Sequence, residues 1–153
     1  MVRHSEDIHT TAARRLAAIG QRYTASRRAI VEILARADGP RTLPAILRDD
    51  DALAQSSAYR NLSELISANV VHRIVTADEH AHFELAEDLT EHHHHLICTV
   101  CGGVSDFTVA PALEAKLEMA LSVVADREGF AGDHHRLDLV GRCAACVAPK
   151  PTA

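Results

Sequence analysis

An α+β fold in two parts is predicted by three features of this 153-residue sequence. Short helix-period segments fill the chain before residue 70, two strand-like runs follow at once, and the second half reads strand, turn, strand, helix, strand. Hydrophobic residues make up 47% and charged residues 24%, the balance of a globular chain, which excludes wholesale disorder. Aromatics are only 3%, with no Trp, so the core must come from Leu, Ile, Val and Ala. No apolar run approaches the roughly 18 residues of a membrane helix. The first residues lack the apolar stretch of a signal peptide. A cytoplasmic protein with no membrane partner is expected.

Each element has a local reason. Residues 5–19 predict a first helix, ended by Gly20. Thr24 is the N-cap of a second helix, with Ile30, Ile33, Leu34 and Ala37 on one face and Asp38-Gly39-Pro40 as its stop. Thr42 caps a short third helix carrying Pro44 in its first turn. After the loop at Asp49-Asp50-Asp51, Ser56 or Ser57 caps a fourth helix reaching about Ala68, with Tyr59, Leu62, Leu65 and Ile66 spaced to face a core. Strands at residues 70–75 and 80–85, around a turn at Ala77-Asp78-Glu79, complete a hairpin. Helices followed by a hairpin describe a winged helix-turn-helix, in which the later helix enters the major groove of DNA. This domain spans residues 1–86, with a polar hinge at 87–91. A small α/β domain follows at 92–148, with strands at 92–98, 104–107 and 134–140 and a helix at 111–128 stopped by Gly129. Residues 149–153 form a tail.

The net charge of −5 argues against a polyanionic partner only until its distribution is considered. Residues 1–84 carry 11 Lys/Arg and 11 Asp/Glu, whereas residues 85–153 carry 5 and 10. Between Ile8 and Val31 there is no acid, yet Arg14, Arg15, Arg22, Arg27 and Arg28 stand there. Such a local basic patch can bind phosphate whatever the sign of the whole chain. Ser56, Ser57, Tyr59, Arg60 and Asn61 at the start of the fourth helix add hydroxyls, backbone N–H groups and side chains of the kinds that contact phosphates and base edges.

All four cysteines lie in two Cys-x-x-Cys pairs, Cys98/Cys101 and Cys143/Cys146. In a reducing compartment such pairs read as metal ligands rather than disulfides. Four thiolates suit tetrahedral zinc and leave no open position, which makes the site structural rather than catalytic. The second signal is the run His92-His93-His94-His95. Side chains alternate along a strand, so His92 and His94 point one way, His93 and His95 the other, and one run can feed two metal sites. Further ligands are available from His72, His80, His82 and Glu84 in the hairpin and from Glu114, His134 and His135 beyond it.

These residues carry a resemblance to the ferric-uptake-regulator (Fur) family of metal-dependent repressors, covering roughly residues 12–147. Gly20-Gln21-Arg22-Tyr23-Thr24-Ala25-Ser26-Arg27 resembles the family's G-x-[KR]-x-T-x-x-R lead into the second helix. Ser57-Ala58-Tyr59-Arg60-Asn61-Leu62 is similar to its T-V-Y-R-x-L recognition helix. The stretch from His92 through Cys98 and Cys101 to Gly102 resembles H-H-H-x-H-L-[IV]-C-x-x-C-G, and Gly141-Arg142-Cys143-Ala144-Ala145-Cys146 the terminal G-x-C-x-x-C. The resemblance implies a homodimer on a palindromic DNA operator and a structural zinc at Cys98, Cys101, Cys143 and Cys146. It implies a sensing site at His72, Glu84, His93 and His95, and a second site at His92, His94, Glu114 and His135. Arg22 matches the family's minor-groove basic residue and Tyr59 its base-contacting tyrosine; Arg27, Ser56, Ser57 and Arg60 complete the expected DNA-binding set.

Two departures matter. Pro40-Arg41 stands where many iron-sensing members place a histidine, and no cysteine stands in the hairpin where zinc sensors often supply one. Peroxide sensors of the family place an Asp in the oxidisable site, and the sequence marks none there. The unbroken histidine run resembles zinc regulators, so zinc is the expected regulatory ion and iron(II) the alternative. A hydrolytic metal centre and a zinc-storage protein are readings of other classes; neither gives a use to the arginine segment or the Ser-Ser-x-Tyr-Arg helix. The chain carries no nucleophile motif and no Gly-rich phosphate loop, so it is not expected to be an enzyme.

Overall fold

The structure is a computed structural model and describes residues 3–76 and 80–148. The expected turn at Ala77-Asp78-Glu79 and the tail at 149–153 lie outside the described residues. Helix α1 (Arg3–Ala18) closes in a Schellman arrangement. Gly20 at φ +73° lets the Gln21 N–H reach the Leu16 carbonyl at 2.9 Å and its own N–H reach that of Ala17 at 3.0 Å. Thr24 Oγ1 accepts from the Arg27 N–H at 3.4 Å and opens α2 (Ala25–Arg36). Thr42 Oγ1 accepts from the Ala45 N–H at 3.3 Å and opens α3 (Leu43–Asp49).

Helix α4 (Gln55–Ser67) begins earlier than the two serines suggest. Its N-cap is Ala54, with no side-chain cap. The Ala58 N–H bonds to the Ala54 carbonyl at 2.8 Å, which carries the helical ladder past Ser56 and Ser57 and leaves both in the first turn. Asn69, at φ +55°, ends this helix as Gly20 ends α1, with the Val70 N–H on the Leu65 carbonyl at 2.9 Å.

The first sheet has the order β1 (Arg41–Thr42), β3 (Ala81–Leu85), β2 (Val71–Val75), all antiparallel. The two-residue β1 has no signature in sequence and exists only as an edge on β3. His72 pairs across the sheet with Glu84. The core lies here: Ala12 and Leu16 of α1, Ile30, Val31 and Leu34 of α2, Leu62 and Leu65 of α4, and Val71, Phe83 and Leu85 of the sheet are all buried together.

The second sheet has the order β5 (Val104–Phe107), β4 (His94–Cys98), β6 (Asp138–Gly141). β4 pairs antiparallel with β5 and parallel with β6. The crossover from β5 to β6 is α5 (Pro111–Glu128). Two expected strands are shorter than the sequence suggests. β4 starts at His94 rather than at residue 92. β6 covers only Asp138–Gly141 rather than 134–140, because His135 turns away toward Glu114 on α5. α6 (Ala144–Val147) follows the third cysteine.

The halves differ in how they bury apolar surface. None of the side chains of α5 is buried, and Leu113, Met119, Val123, Phe130, Leu139 and Val140 stand open to solvent. A 3-10 turn at Glu87–Leu89 joins the halves within the expected hinge. Arg15 of α1 clamps it, donating to the Asn69 carbonyl and pairing with Asp88. Among the described residues no helix is long and apolar enough to cross a membrane.

Candidate metal centres and nucleic-acid interface

Three groups of ligand-bearing side chains gather in the structure, each with its donor atoms within 4.8 Å of one another. The first comprises Cys98, Cys101, Cys143 and Cys146. All four thiols are free of disulfides. The Sγ atoms of Cys101 and Cys143 are 3.8 Å apart, the edge of a tetrahedron with metal–sulfur bonds of about 2.3 Å. The backbone N–H groups of Cys101, Cys143 and Val100 aim at Cys98 and bring its thiol down to about 6. Crowding by Cys143, and then by burial and the other two thiols, pushes Cys146 up to about 12. Unaided, the set shares less than its full negative charge; a soft divalent cation would complete it. The Cys98–Gly103 turn is tight, since a Cβ at Gly103 would lie 3.3 Å from Cys101 Sγ.

The second group is Glu84, His93, His95 and Asp106. Glu84 Oε2 lies 3.1 Å from His93 Nε2 and 3.0 Å from His95 Nε2. Both Nε2 atoms lie 3.9 Å from Asp106. Bonds of about 2.1 Å to a tetrahedral ion would space their donors by about 3.4 Å, midway among these distances. His93 Nδ1 donates to the Glu91 carbonyl at 2.8 Å, and His95 Nδ1 faces Asp138 Oδ1 at 3.3 Å. Arg136 holds the other oxygen of Asp138 at 3.4 Å. These outer bonds fix the ring orientations and leave both Nε2 atoms aimed inward.

The electrostatics of this group set its two carboxylates apart. Burial works against the charge on Glu84, but the hydrogen bonds to His95 and His93 outweigh it and hold the carboxyl below its ordinary range. Burial, together with the Glu84 charge, raises Asp106. Burial also opposes a charged ring at both histidines. The Glu91 carbonyl and Glu84 for His93, and Glu84 and Asp138 for His95, overcome it and raise both above their usual value.

His72 does not join this group. Its Nε2 is 3.0 Å from Asn69 Oδ1, so a neighbour at the end of α4 captures the ring. It lines the same cavity of about 430 Å³ as Glu84, His93 and His95. Asp106 of β5 stands with Glu84, His93 and His95 instead, an Asp that the sequence did not mark there. Buried His82 bonds to the His80 carbonyl at 3.3 Å and belongs to none of the three groups.

The third group is His92, His94, Glu114 and His135. Three imidazoles turn Nε2 toward one carboxylate, at 3.1, 2.9 and 2.7 Å respectively. The His135 contact, although the shortest, lacks hydrogen-bond alignment. The hydrogen bond to His94, above all, keeps the Glu114 carboxyl below its ordinary range. His94 is fully buried with its Nδ1 unpartnered.

Arg22 in the α1–α2 loop and Ser56, Ser57, Tyr59 and Arg60 on α4 are exposed, Tyr59 by 60%. Arg27, also named in the expected DNA-binding set, differs from these exposed groups. It is only 7% exposed, and its guanidinium is spent on Asn61, the Arg22 carbonyl and Gln21.

A winged helical half joined to an α/β half, with three donor clusters among the described residues, is the arrangement of a metal-responsive transcription regulator. The chain belongs to the ferric uptake regulator family, which residues 18–140 match. It is 31% identical to the ferric uptake regulation protein of Cupriavidus metallidurans, over 86% of this chain and 90% of the relative. It is 29% identical to the peroxide operon regulator of Bacillus subtilis, over 83% of this chain and 85% of that one. The ferric uptake regulator Fur of Helicobacter pylori shares the fold, with a TM-score of 0.71 over 95% of both chains at 23% identity.

Proposed function

We propose that this chain is a homodimeric repressor that binds a palindromic operator in double-stranded DNA and uses zinc as corepressor to control metal-uptake genes. The observation that carries this reading is the parentage of the Glu84–His93–His95–Asp106 cluster. Glu84 stands on β3, in the sheet packed with α4, whereas His95 and Asp106 stand on β4 and β5 of the other sheet. Whatever gathers these four groups fixes residues 1–86, as the DNA-binding domain, against residues 92–148, as the dimerisation domain, across a hinge at 87–91.

A bound divalent ion would supply one bond to each group at once and neutralise the two carboxylates. The chain's own residues do the rest. Glu84 holds β3, and with it α4, at one angle to β4. Asp138 and the Glu91 carbonyl keep the two imidazoles in the ligating orientation. In a dimer this sets the spacing of the two α4 helices to successive major grooves. Arg22, Ser56, Ser57, Tyr59 and Arg60 would then meet DNA. Cys98, Cys101, Cys143 and Cys146 would hold a structural zinc that pins α6 to β4. His92, His94, Glu114 and His135 would hold a second ion between β4 and α5. The uncovered apolar side chains of α5 and β6 support a second copy as the dimer partner.

Iron(II) or manganese(II) is the second reading for the sensing cluster. Asp106 supports it: a set of two carboxylates and two imidazoles without a thiolate also suits harder ions. The test is binding of the purified protein to duplex DNA from its own promoter region, read by fluorescence anisotropy in buffered free zinc, in anaerobic Fe(II) and with a chelator. Tight binding with zinc and none with the chelator is expected. Binding with Fe(II) alone would replace zinc by iron, and no binding with any metal would sink the repressor in favour of zinc storage.

A further inference from the structure

Arg27 carries a charge that the interface leaves unused. Its guanidinium is buried, and among the described residues no carboxylate faces it. Three neutral acceptors take it instead: Asn61 Oδ1 from Nε at 3.1 Å, the Arg22 carbonyl from Nη1 at 2.6 Å, and Gln21 Oε1 from Nη2 at 3.1 Å. A buried cation without a counter-ion is costly unless its hydrogen bonds are well placed. The planar fork of arginine meets three acceptors in fixed directions, which a lysine ammonium does not do. Two of the acceptors belong to the loop that carries Arg22, and the third stands on α4, one residue after Arg60 and two after Tyr59.

We infer that Arg27 is a positioning residue of the nucleic-acid interface: its guanidinium locks the Arg22 loop to helix α4, so that both present their DNA-facing side chains in one fixed arrangement. The inference rests on the DNA-binding reading above. Arg27 itself does not reach solvent to touch a phosphate. Without it, the loop and the helix remain, but their relation is no longer set, and Arg22 contributes to binding only part of the time.

The test is a double-mutant cycle in the full-length, Zn(II)-loaded protein, using a fluorescein-labelled duplex of its own promoter region between 50 and 200 mM salt. R22A is expected to weaken binding about tenfold. R27M and N61A are each expected to do the same, R27M to cost less than twofold in the R22A background, and R27K to give no rescue. N61A carries the cycle should R27M fail to fold. Effects of R22A and R27M that simply multiply, with only the melting temperature of R27M reduced, would make Arg27 a stability residue and overturn the inference. Rescue by R27K, with a salt slope smaller by about one for R27M in the R22A background, would make it a phosphate contact and also overturn it. A wild-type chain that ignores the duplex would remove the DNA-binding reading and this inference together, whereas a binding wild type with multiplying effects removes the inference alone.

Discussion

Replacing Asp138 by alanine tests whether the Glu84–His93–His95–Asp106 cluster is held from outside its own four groups. Asp138 Oδ1 faces His95 Nδ1 at 3.3 Å, and its other oxygen takes Arg136 at 3.4 Å. Outer partners of metal-bound histidines are worth about 10–100-fold in metal affinity. The His95 contact is long for a charge-assisted bond and Asp138 is 31% exposed, so the lower end applies: about tenfold, or about 1.4 kcal/mol. Asparagine keeps an oxygen opposite Nδ1 but loses the charge, and about threefold is expected for D138N. Affinity is measured by competition with a chromophoric zinc chelator, after the four-cysteine site is filled. A D138A protein within twofold of wild type would refute the reasoning, as would one that loses the four-cysteine ion in parallel.

Metal affinity at the same cluster should fall on acidification, beginning above the ordinary histidine value of 6.5, because both His93 and His95 are raised. Its slope should approach two log units per pH unit once both rings are charged; a pH-independent affinity between 6 and 8 would contradict this. In the metal-free chain the sign reverses. The imidazolium pairs with Glu84, whose own carboxyl is lowered, stabilise the fold fully below 6.5, and that contribution is lost as pH rises through the raised histidine values. Thermal melts of chelated protein across that range measure it. Leu65 of α4 is fully buried in the main core, so L65A should cost about 2–5 kcal/mol in urea unfolding, and a loss under about 1 kcal/mol would show that α4 is held otherwise.

Local chemistry made much of this molecule legible in its sequence. Thr24 and Thr42 mark helix starts because their hydroxyls serve N–H groups three residues away, and Gly20 marks an end because of its own backbone. The two Cys-x-x-Cys turns and the alternation of four histidines likewise need no long-range information to suggest three clusters. What stayed hidden depends on contacts far along the chain. Asp106 sits in a Val-Ser-Asp-Phe strand with nothing to reveal its facing, and only the pairing of β5 with β4 brings it to His93 and His95. Arg27 resembles its exposed neighbour Arg28, and its burial follows from Asn61, 34 residues away. His72 has the right strand position opposite Glu84, but the left-handed turn at Asn69 offers its ring a nearer partner.

The histidine run also ties two parts of the molecule to a single backbone register. His93 and His95 look toward β3 and β5, while His92 and His94 look toward α5. A one-residue insertion within these four positions would swap the faces of the rings beyond it, and so damage both clusters in one step. Neither cluster can therefore be retuned by sliding the strand. Changes of metal preference must come from the partners Glu84, Asp106, Glu114 and His135, which stand on four segments outside the histidine run.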